Sequence, residues 1–272
     1  MKRKPILLLL IVVILAVTSP ASAADLLRVY YAGPEEGGVR QALLIDPSVE
    51  LVSDLSTADI LVLNGAAPDP AALAARVKSG AGLVLFLGPD LNAEQVSTLM
   101  GEVVSLEPAQ DPLSLAPAKG SDDPILSQIV WTSAPQIRQR DRLDAPGVTP
   151  LVTGFEDGEL VLGSEKLGSG QIYVFTGFLG SDNPQLKDWT YFNYLVYLLA
   201  HRAAGQTPDT FAAYPGSPVP HSWDRLALFG LLAAIRSLCG WTFWRVRRYS
   251  LAHPEALDTV VANRAVFLAQ EA

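Results

Sequence analysis

The order of apolar and polar residues from about residue 26 to residue 100 predicts strands that alternate with helices. Short apolar runs that end at asparagine or glycine are typical of buried parallel strands, and they cover residues 58–65 and 82–88. Between them, Asp69 precedes Pro70 as an N-cap precedes proline at the first position of a helix. Another strand is predicted over residues 27–31. This order predicts an α/β fold with a flavodoxin-like, doubly wound and mainly parallel sheet.

The pattern changes after Gly101 to shorter strands that glycine-rich turns separate. Strands are predicted over residues 151–155 and 159–163, and Asp157-Gly158 between them is a hairpin turn signal. A further strand over 171–178 and a helix over about 187–203 follow. We therefore expect an antiparallel C-terminal extension of the sheet, within one domain that covers residues 24–204.

The N-terminus has the three parts of a secretory signal peptide. Basic residues 2–4 come first, an apolar run covers residues 6–17, and Ala21-Ser22-Ala23 supplies small residues for cleavage. The run is shorter than the roughly 20 residues that cross a bilayer. Residues 1–23 are predicted to be a signal peptide, with an uncleaved N-terminal anchor as the alternative.

A second apolar segment lies near the C-terminus and predicts one transmembrane helix over residues 224–246. The arginines at 245, 247 and 248 favour the cytoplasmic side, so the domain is expected outside the cell membrane and the tail, 247–272, inside. The 49 % hydrophobic and 18 % charged composition fits such a chain. Residues 205–223 hold four prolines and predict an extended stalk between domain and membrane.

Arg236 interrupts this segment. A central arginine costs about 2.5–3.5 kcal/mol on insertion, which the leucines and phenylalanines around it roughly offset. One interpretation is that Arg236 pairs with an acid on the helix of a membrane-protein partner. The alternatives are that Arg236 snorkels, or that the helix lies in the membrane interface.

Charge and cysteine content restrict the partners of the outer domain. Residues 25–225 hold 25 acidic and 12 basic side chains, a net charge of −13, which argues against nucleic acid or anionic lipid as the ligand of this domain. The single cysteine, Cys239, lies in the predicted membrane helix, so the domain has no disulfide and depends on its core for stability.

Several segments resemble the class I glutamine amidotransferase-like superfamily. They are residues 58–65, residues 71–88 with Lys78-Ser79-Gly80-Ala81-Gly82 before the strand, residues 123–126 and residues 168–175. Within the superfamily, the chain is similar to the non-catalytic, membrane-associated branch near the trehalose-utilisation and aerotolerance-regulator type proteins. The resemblance covers about residues 26–204.

The resemblance implies a nucleophile position that this chain does not use. An amidotransferase needs a cysteine after a central strand and a histidine to activate it, and the matching position here is Phe86. No G-x-S-x-G motif replaces it. His253-Pro254-Glu255 matches the other signature but follows the predicted membrane helix. Because the nucleophile is missing, we expect no enzyme activity and no cofactor. We also expect no metal site, since the three histidines lack metal-ligand spacing.

Loops at the carboxyl ends of the predicted strands are candidates for binding a small solute, whose identity the sequence leaves unknown. Ligands of open α/β sheets bind at this edge. The candidate residues are Gly33, Glu35, Glu36, Gly65, Gly88 and Asp90. The two glutamates would repel a phosphate, and a permissive turn with a charged tip is the alternative for the first loop.

The predicted helix over 187–203 carries aromatic residues nearly all round. Tyr191, Tyr194 and Tyr197 lie partly outside its core-facing stripe, so they are candidates for a partner-binding patch, with core packing as the alternative.

Three functions remain open on the sequence. The first is a membrane-anchored, non-enzymatic envelope protein whose domain serves protein interaction, sensing or transport accessory work. The second is a small-solute-binding module at the carboxyl edge of the sheet. The third is a hydrolase with an unrecognised triad, which requires Ser79, Asp90 and His201 to converge.

Overall fold

Strands and helices alternate through most of the computed structural model, which describes residues 26–35, 38–121, 123, 126–218 and 222–252. The predicted signal peptide, Glu36 and His253-Pro254-Glu255 lie outside the described residues. The elements are β1 (Leu27–Ala32), α1 (Val39–Leu43), β2 (Val49–Val52), β3 (Ile60–Asn64), α2 (Pro70–Lys78), β4 (Gly82–Phe86), α3 (Ala93–Met100), β5 (Ser105–Ala109), β6 (Leu115–Pro117), β7 (Arg140–Asp144), β8 (Thr149–Gly154), β9 (Leu160–Leu167), β10 (Gly170–Phe175), α4 (Phe192–Ala203) and α5 (Ser222–Ala252).

The main sheet has the order β2-β1-β3-β4-β10-β9-β8-β6. Its first five strands are parallel to their neighbours, and β9, β8 and β6 continue it in antiparallel fashion. Strands β5 and β7 form a separate antiparallel pair. The prediction of a mixed α/β fold is therefore confirmed, with a parallel half and an antiparallel extension.

The central strands are buried on both faces, which explains their continuous apolar sequences. Along β3, Ile60 and Val62 belong to one core cluster, whereas Leu61 and Leu63 belong to the other. Helices α1 and α4 contribute to the first cluster, and α2 and α3 contribute to the second. Layers on both faces are what a doubly wound sheet requires.

A buried charge network joins the small sheet to the main one. The Arg140 side chain is fully buried, and its Nε lies 2.6 Å from Glu159 Oε1 while its Nη2 lies 3.0 Å from Asp111 Oδ2. The half-exposed Arg142 contacts the same two acids from outside. The hydrogen bond from Arg140 lowers the pKa of the Asp111 carboxyl. The network therefore compensates a cation that has no access to water.

The segment after α4 packs on the domain, where an extended stalk is predicted. Tyr214 is 2 % exposed, Phe211 packs against the core, and the Tyr194 hydroxyl lies 3.1 Å from the carbonyl oxygen of Asp209. Residues 209–214 thus form a strap over α4. The aromatic rings of the strap pack on α4, so this part of the predicted stalk follows the domain and does not extend away from it.

The strap also covers the predicted tyrosine patch. Tyr194 is fully buried and Tyr197 is 6 % exposed, and burial raises the pKa of both phenols to about 12. Only Tyr191 remains half-buried, with its ring 4.6 Å from that of Phe211. The partner-binding patch is therefore contradicted for Tyr194 and Tyr197, and the alternative of core packing describes both, because residues 209–214 pack on them.

Helix α5 belongs to a second compact unit, formed by residues 218–272. Its large apolar side chains between Leu228 and Leu251 are exposed, and so is Arg236. Near its C-terminal end, the guanidinium groups of Arg245 and Arg248 lie over the rings of Trp241 and Trp244, respectively. Over the described residues, no helix has the length and apolar character needed to cross a membrane.

Candidate functional site

The candidate site lies where the order of the main sheet reverses. From β1 the chain adds β2 on one side, whereas from β3 it adds β4 on the other, and such a switch point opens a crevice at the carboxyl ends of the strands. A cleft of about 500 Å³ occupies this position. It lies within the range of roughly 300–1,000 Å³ that is usual for small-molecule sites.

Glycines keep the base of the cleft free of side chains. Gly65 has a φ of 68°, a backbone conformation that is strained for residues with a side chain. A Cβ added to Gly88 would lie 2.6 Å from the Gly65 Cα. The loops after β3 and β4 therefore touch backbone to backbone. A Cβ on Gly33 would lie 2.6 Å from the carbonyl oxygen of Asn64, so the loop after β1 is held equally close.

Tyr31 and Asn64 fix the first two loops to each other. The Tyr31 hydroxyl donates to the carbonyl oxygen of Pro34 at 2.6 Å and accepts a longer bond of 3.4 Å from the Asn64 amide. Burial raises the pKa of Tyr31, which keeps its phenol protonated and able to donate. These contacts hold the loop after β1 against β3.

The polar side chains at the mouth of the cleft are mostly acceptors. Asp90 follows β4, and Ser181 and Asp182 come from the loop after β10. Carboxylates accept hydrogen bonds only, and a serine hydroxyl both donates and accepts. Among the described residues, no three histidine, cysteine, aspartate or glutamate side chains are grouped so that they could hold a metal ion. The cleft is therefore suited to a ligand that offers hydroxyl or amine donors.

The structure brings four of the six residues predicted for ligand binding into this cleft. Gly33, Gly65, Gly88 and Asp90 all line it. Glu35 points elsewhere, with its carboxylate 4.0 Å from the Arg40 guanidinium, and Glu36 lies outside the described residues.

The sequence analysis missed the contribution of the loop after β10. Gly180, Ser181 and Asp182 complete the cleft because β10 pairs in parallel with β4, which brings its carboxyl end to the same edge. The sequence predicts the strand over residues 171–178, but no local signal identifies β4 as its parallel neighbour.

The residues of the hypothetical triad do not converge. His201 lies near the amino edge of the sheet, because Gly82 at the start of β4 packs against Ala203. Ser79 also precedes β4, and its hydroxyl donates to the carbonyl oxygen of Arg76. Asp90 lies beyond the other end of β4, roughly 20 Å away at about 3.3 Å per residue.

His201 instead has hydrogen-bond partners at the amino edge. Its Nε2 lies 2.7 Å from Asp46 Oδ2 and its Nδ1 lies 2.7 Å from Gln206 Oε1. Burial alone would raise the pKa of Asp46, but hydrogen bonds from His201 and Ser48 together lower it. The contact joins the end of α4 to the loop before β2 and therefore has a structural explanation.

Phe86, at the nucleophile position that the resemblance implies, is part of the core. Its side chain is 1 % exposed, and its ring lies 5.9 Å from that of Phe175 in an edge-to-face contact. The side chain turns away from solvent into the face that α4 covers.

Known proteins provide similarities of fold. No family model and no curated protein matches the chain. A cytoplasmic protein from Salmonella typhimurium LT2 is similar over 65 % of this chain and 99 % of its own, with 12 % identity and a TM-score of 0.49. A ThuA-like protein from Parabacteroides merdae ATCC 43184 is similar over 71 % of this chain and 95 % of its own, with 14 % identity and a TM-score of 0.42.

The cold-adapted β-galactosidase from Rahnella sp. R3 is also similar, with 13 % identity and a TM-score of 0.46 over 73 % of this chain, which spans only 33 % of that enzyme. At these identities and scores the likenesses concern the α/β architecture, and the functions of those proteins are not transferred to this chain. The resemblance to trehalose-utilisation type proteins stays a prediction, and so does the narrower membrane-associated branch.

Proposed function

We propose that residues 26–217 form a non-catalytic binding module for a small polar solute, which the cleft at the carboxyl edge of the sheet receives. The observation that carries this proposal is the cleft itself. Four separate loops build it at the switch point, and three of them approach so closely at glycines that the base remains open to a ligand.

The chemistry around the cleft supports binding without reaction. Ser181 is the serine that lines the cleft, but His201, the histidine of the hypothetical triad, lies at the opposite edge of the sheet and is held by Asp46. The only cysteine of the chain, Cys239, belongs to α5. Catalysis by a nucleophile requires an activating base within hydrogen-bond reach. The module is therefore expected to release its ligand unchanged.

The charge of the cleft selects the class of solute. Asp90 and Asp182 place two carboxylates at its mouth, in a domain whose net charge is strongly negative. Anions are repelled by this arrangement, whereas neutral polyols, sugars and amines offer the donors that carboxylates accept.

Asp90→Asn together with Asp182→Asn is expected to weaken solute binding at least tenfold. Each substitution keeps the shape of the side chain but exchanges an ionised acceptor for a neutral amide, and hydrogen bonds to charged groups contribute about 1.5–3 kcal/mol. The measurement is a thermal-shift titration of the full chain with free amino acids, polyamines, monosaccharides, disaccharides and nucleosides.

The matched control is Asp144→Asn, which removes the same charge from an exposed position on β7 away from the cleft. A dose-dependent rise in the melting temperature of the wild type and of the control, lost in the double variant, supports the proposal. Binding that survives in the double variant, or a set of solutes that leaves the wild type unchanged, contradicts it. Chromatography of the recovered solute tests whether it is unchanged.

Exposed apolar side chains on α5 favour a second candidate, association with a lipid bilayer. Leu228, Phe229, Leu231, Leu232 and Ile235 are each at least half exposed. The tryptophan–arginine pairs at 241/245 and 244/248 follow them, and aromatic and basic residues of this kind prefer the membrane interface. An apolar surface of this extent is unusual on a monomer in water.

Co-flotation of the full chain with phosphatidylcholine vesicles that contain anionic lipid tests this candidate. Leu232→Asp together with Ile235→Asp is expected to lower the bound fraction severalfold, because a charge within an apolar membrane segment costs about 2.5–3.5 kcal/mol. Val103→Asp together with Phe155→Asp makes the same change at exposed apolar positions of the α/β domain and serves as the control. A wild type that stays in solution argues against membrane association.

A further inference from the structure

Two smaller depressions lie in series beside the cleft at the sheet edge. Asp182 lines both the cleft and a neighbouring depression of about 230 Å³, which also contains Arg138 and Gln185. Gln185 in turn lines a third depression of about 280 Å³ that ends at Trp189 and Thr190. Each smaller depression lies below the roughly 300 Å³ usual for an independent ligand site. Their shared residues place the two depressions in series beside the cleft, and the three together are called the groove here.

A rigid loop forms the wall along this whole groove. Asn183 is 6 % exposed, and its amide nitrogen donates to the carbonyl oxygens of Gln139 and Phe178 at 2.7 and 2.9 Å. Its Oδ1 accepts from the backbone N–H of Arg138 at 2.8 Å. Farther along, the Trp189 indole N–H donates to the Ser133 hydroxyl at 3.0 Å. These hydrogen bonds are made within the protein itself and hold the loop in place, which lowers the entropy cost that binding must supply.

The lining supplies both donors and acceptors along the length of the groove. Asp182 and Arg138 share the middle depression, and Asp188 and Thr190 share the outer one with the amide of Gln185. A hydroxyl group donates and accepts at the same time, so a chain of hydroxyl-bearing units finds partners in each depression. Arg138 has no ion-pair partner among the described residues, which leaves its guanidinium available in the middle of the groove.

The same lining disfavours charged chains and peptides. A polyanion would meet Asp90, Asp182 and Asp188, and a polycation, although these three acids attract it, would have to pass Arg138 in the middle depression. A peptide bound as an added strand needs a free strand edge, but β10, which leads into this loop, lies between β4 and β9. The occupant that remains is neutral, elongated and rich in hydroxyl groups.

We infer that the groove binds a neutral oligosaccharide of at least three sugar units, with one end in the sheet-edge cleft and the chain running along residues 181–190. The inference rests on the proposed function, because it assigns the ligand class of the same site. The cleft holds the terminal unit, the Asp182–Arg138 depression holds the next, and the depression beside Trp189 holds the third.

The test is binding of the full chain to an array of neutral oligosaccharides of one to six units, printed beside cationic and neutral peptides. Chains of three or more units are expected to bind at least tenfold more tightly than single sugars. Gln185→Trp places a large ring at the junction of the two outer depressions and is expected to abolish this length dependence. Gln110→Trp, at an exposed glutamine outside the groove, is the matched control.

The outcomes separate this inference from the function on which it rests. Length-dependent binding that Gln185→Trp removes and Gln110→Trp retains supports the groove. Equal binding of single sugars and long chains, or preferred binding of the peptides, overturns the inference but leaves the sheet-edge cleft as a solute site. An array without signal overturns the inference as well, and the thermal-shift titration with small solutes then decides separately whether the cleft binds anything.

Discussion

Replacing Gly88 by alanine is expected to destabilise the domain by about 3 kcal/mol and to abolish binding in the cleft. The added Cβ would lie 2.6 Å from the Gly65 Cα, and real Cβ atoms do not approach a neighbour so closely. Overpacking usually costs about 1–3 kcal/mol, and the upper end applies because the opposing atom is backbone with no rotamer to change. The loops after β3 and β4 must separate, which changes the base of the cleft.

Urea denaturation of the Gly88→Ala variant measures the first effect, and the solute titration measures the second. Gly158→Ala is the control, because Gly158 has a φ of 74° but no atom within 4 Å of an added Cβ. It carries only the cost of a left-handed alanine, about 1–2 kcal/mol. A Gly88→Ala variant as stable as wild type would show that the two loops move apart easily, and the cleft would then not be preformed.

The base of the cleft was predictable from the sequence because it depends on local signals. Continuous apolar runs identify β3 and β4 as buried parallel strands, and the glycines that end them, Gly65 and Gly88, mark the carboxyl edge. Parallel neighbours bring those ends together whatever the remaining topology is. Gly33, Gly65, Gly88 and Asp90 could therefore be placed at one edge before the structure was known.

The wall of the cleft depends on a pairing that no local signal encodes. Strand β10 follows a run of antiparallel strands in the sequence, yet it pairs in parallel with β4, and this crossover carries the loop with Asp182 to the site. Similarly, the prolines of residues 208–220 favour an extended chain locally, but Phe211 and Tyr214 gain more from burial on α4. Long-range packing decides both cases.

The loop after β10, which forms one wall of the cleft, is supported by the segment that contains the buried Arg140. Residues 138–142 support the loop after β10 through a bridge between Arg140 and Gly177, and the backbone N–H of Phe178 donates to the carbonyl oxygen of Gln139 at 3.0 Å. The charge network of Arg140, Glu159 and Asp111 therefore stabilises residues 138–142. Asn183 holds the loop after β10 in place by hydrogen bonds to the backbone of this segment.

Arg140→Met is expected to lower the free energy of unfolding by about 3–5 kcal/mol. Methionine fills much of the same volume but leaves Glu159, whose side chain is 10 % exposed, with only the half-exposed Arg142 as a partner. Breaking a buried ion pair by removing one member carries a cost of this size. Arg142→Met is the matched control. Arg142 contacts the same two acids, but its side chain is 47 % exposed, so its loss should cost at most about 1 kcal/mol.

The acid dependence of stability gives an independent readout of the same network. The hydrogen bond from Arg140 lowers the pKa of Asp111 in the folded state, so its contribution is present above the ordinary aspartate pKa of about 3.9 and is lost as the pH falls through the folded value. Urea denaturation between pH 7 and pH 3 should therefore show a smaller loss on acidification for Arg140→Met than for the wild type. A combined Arg140→Met and Glu159→Met variant also removes the buried carboxylate that has lost its main partner, and it should recover part of the lost stability at pH 7. Equal destabilisation by Arg140→Met and Arg142→Met would show that burial of the guanidinium is not what makes this network important.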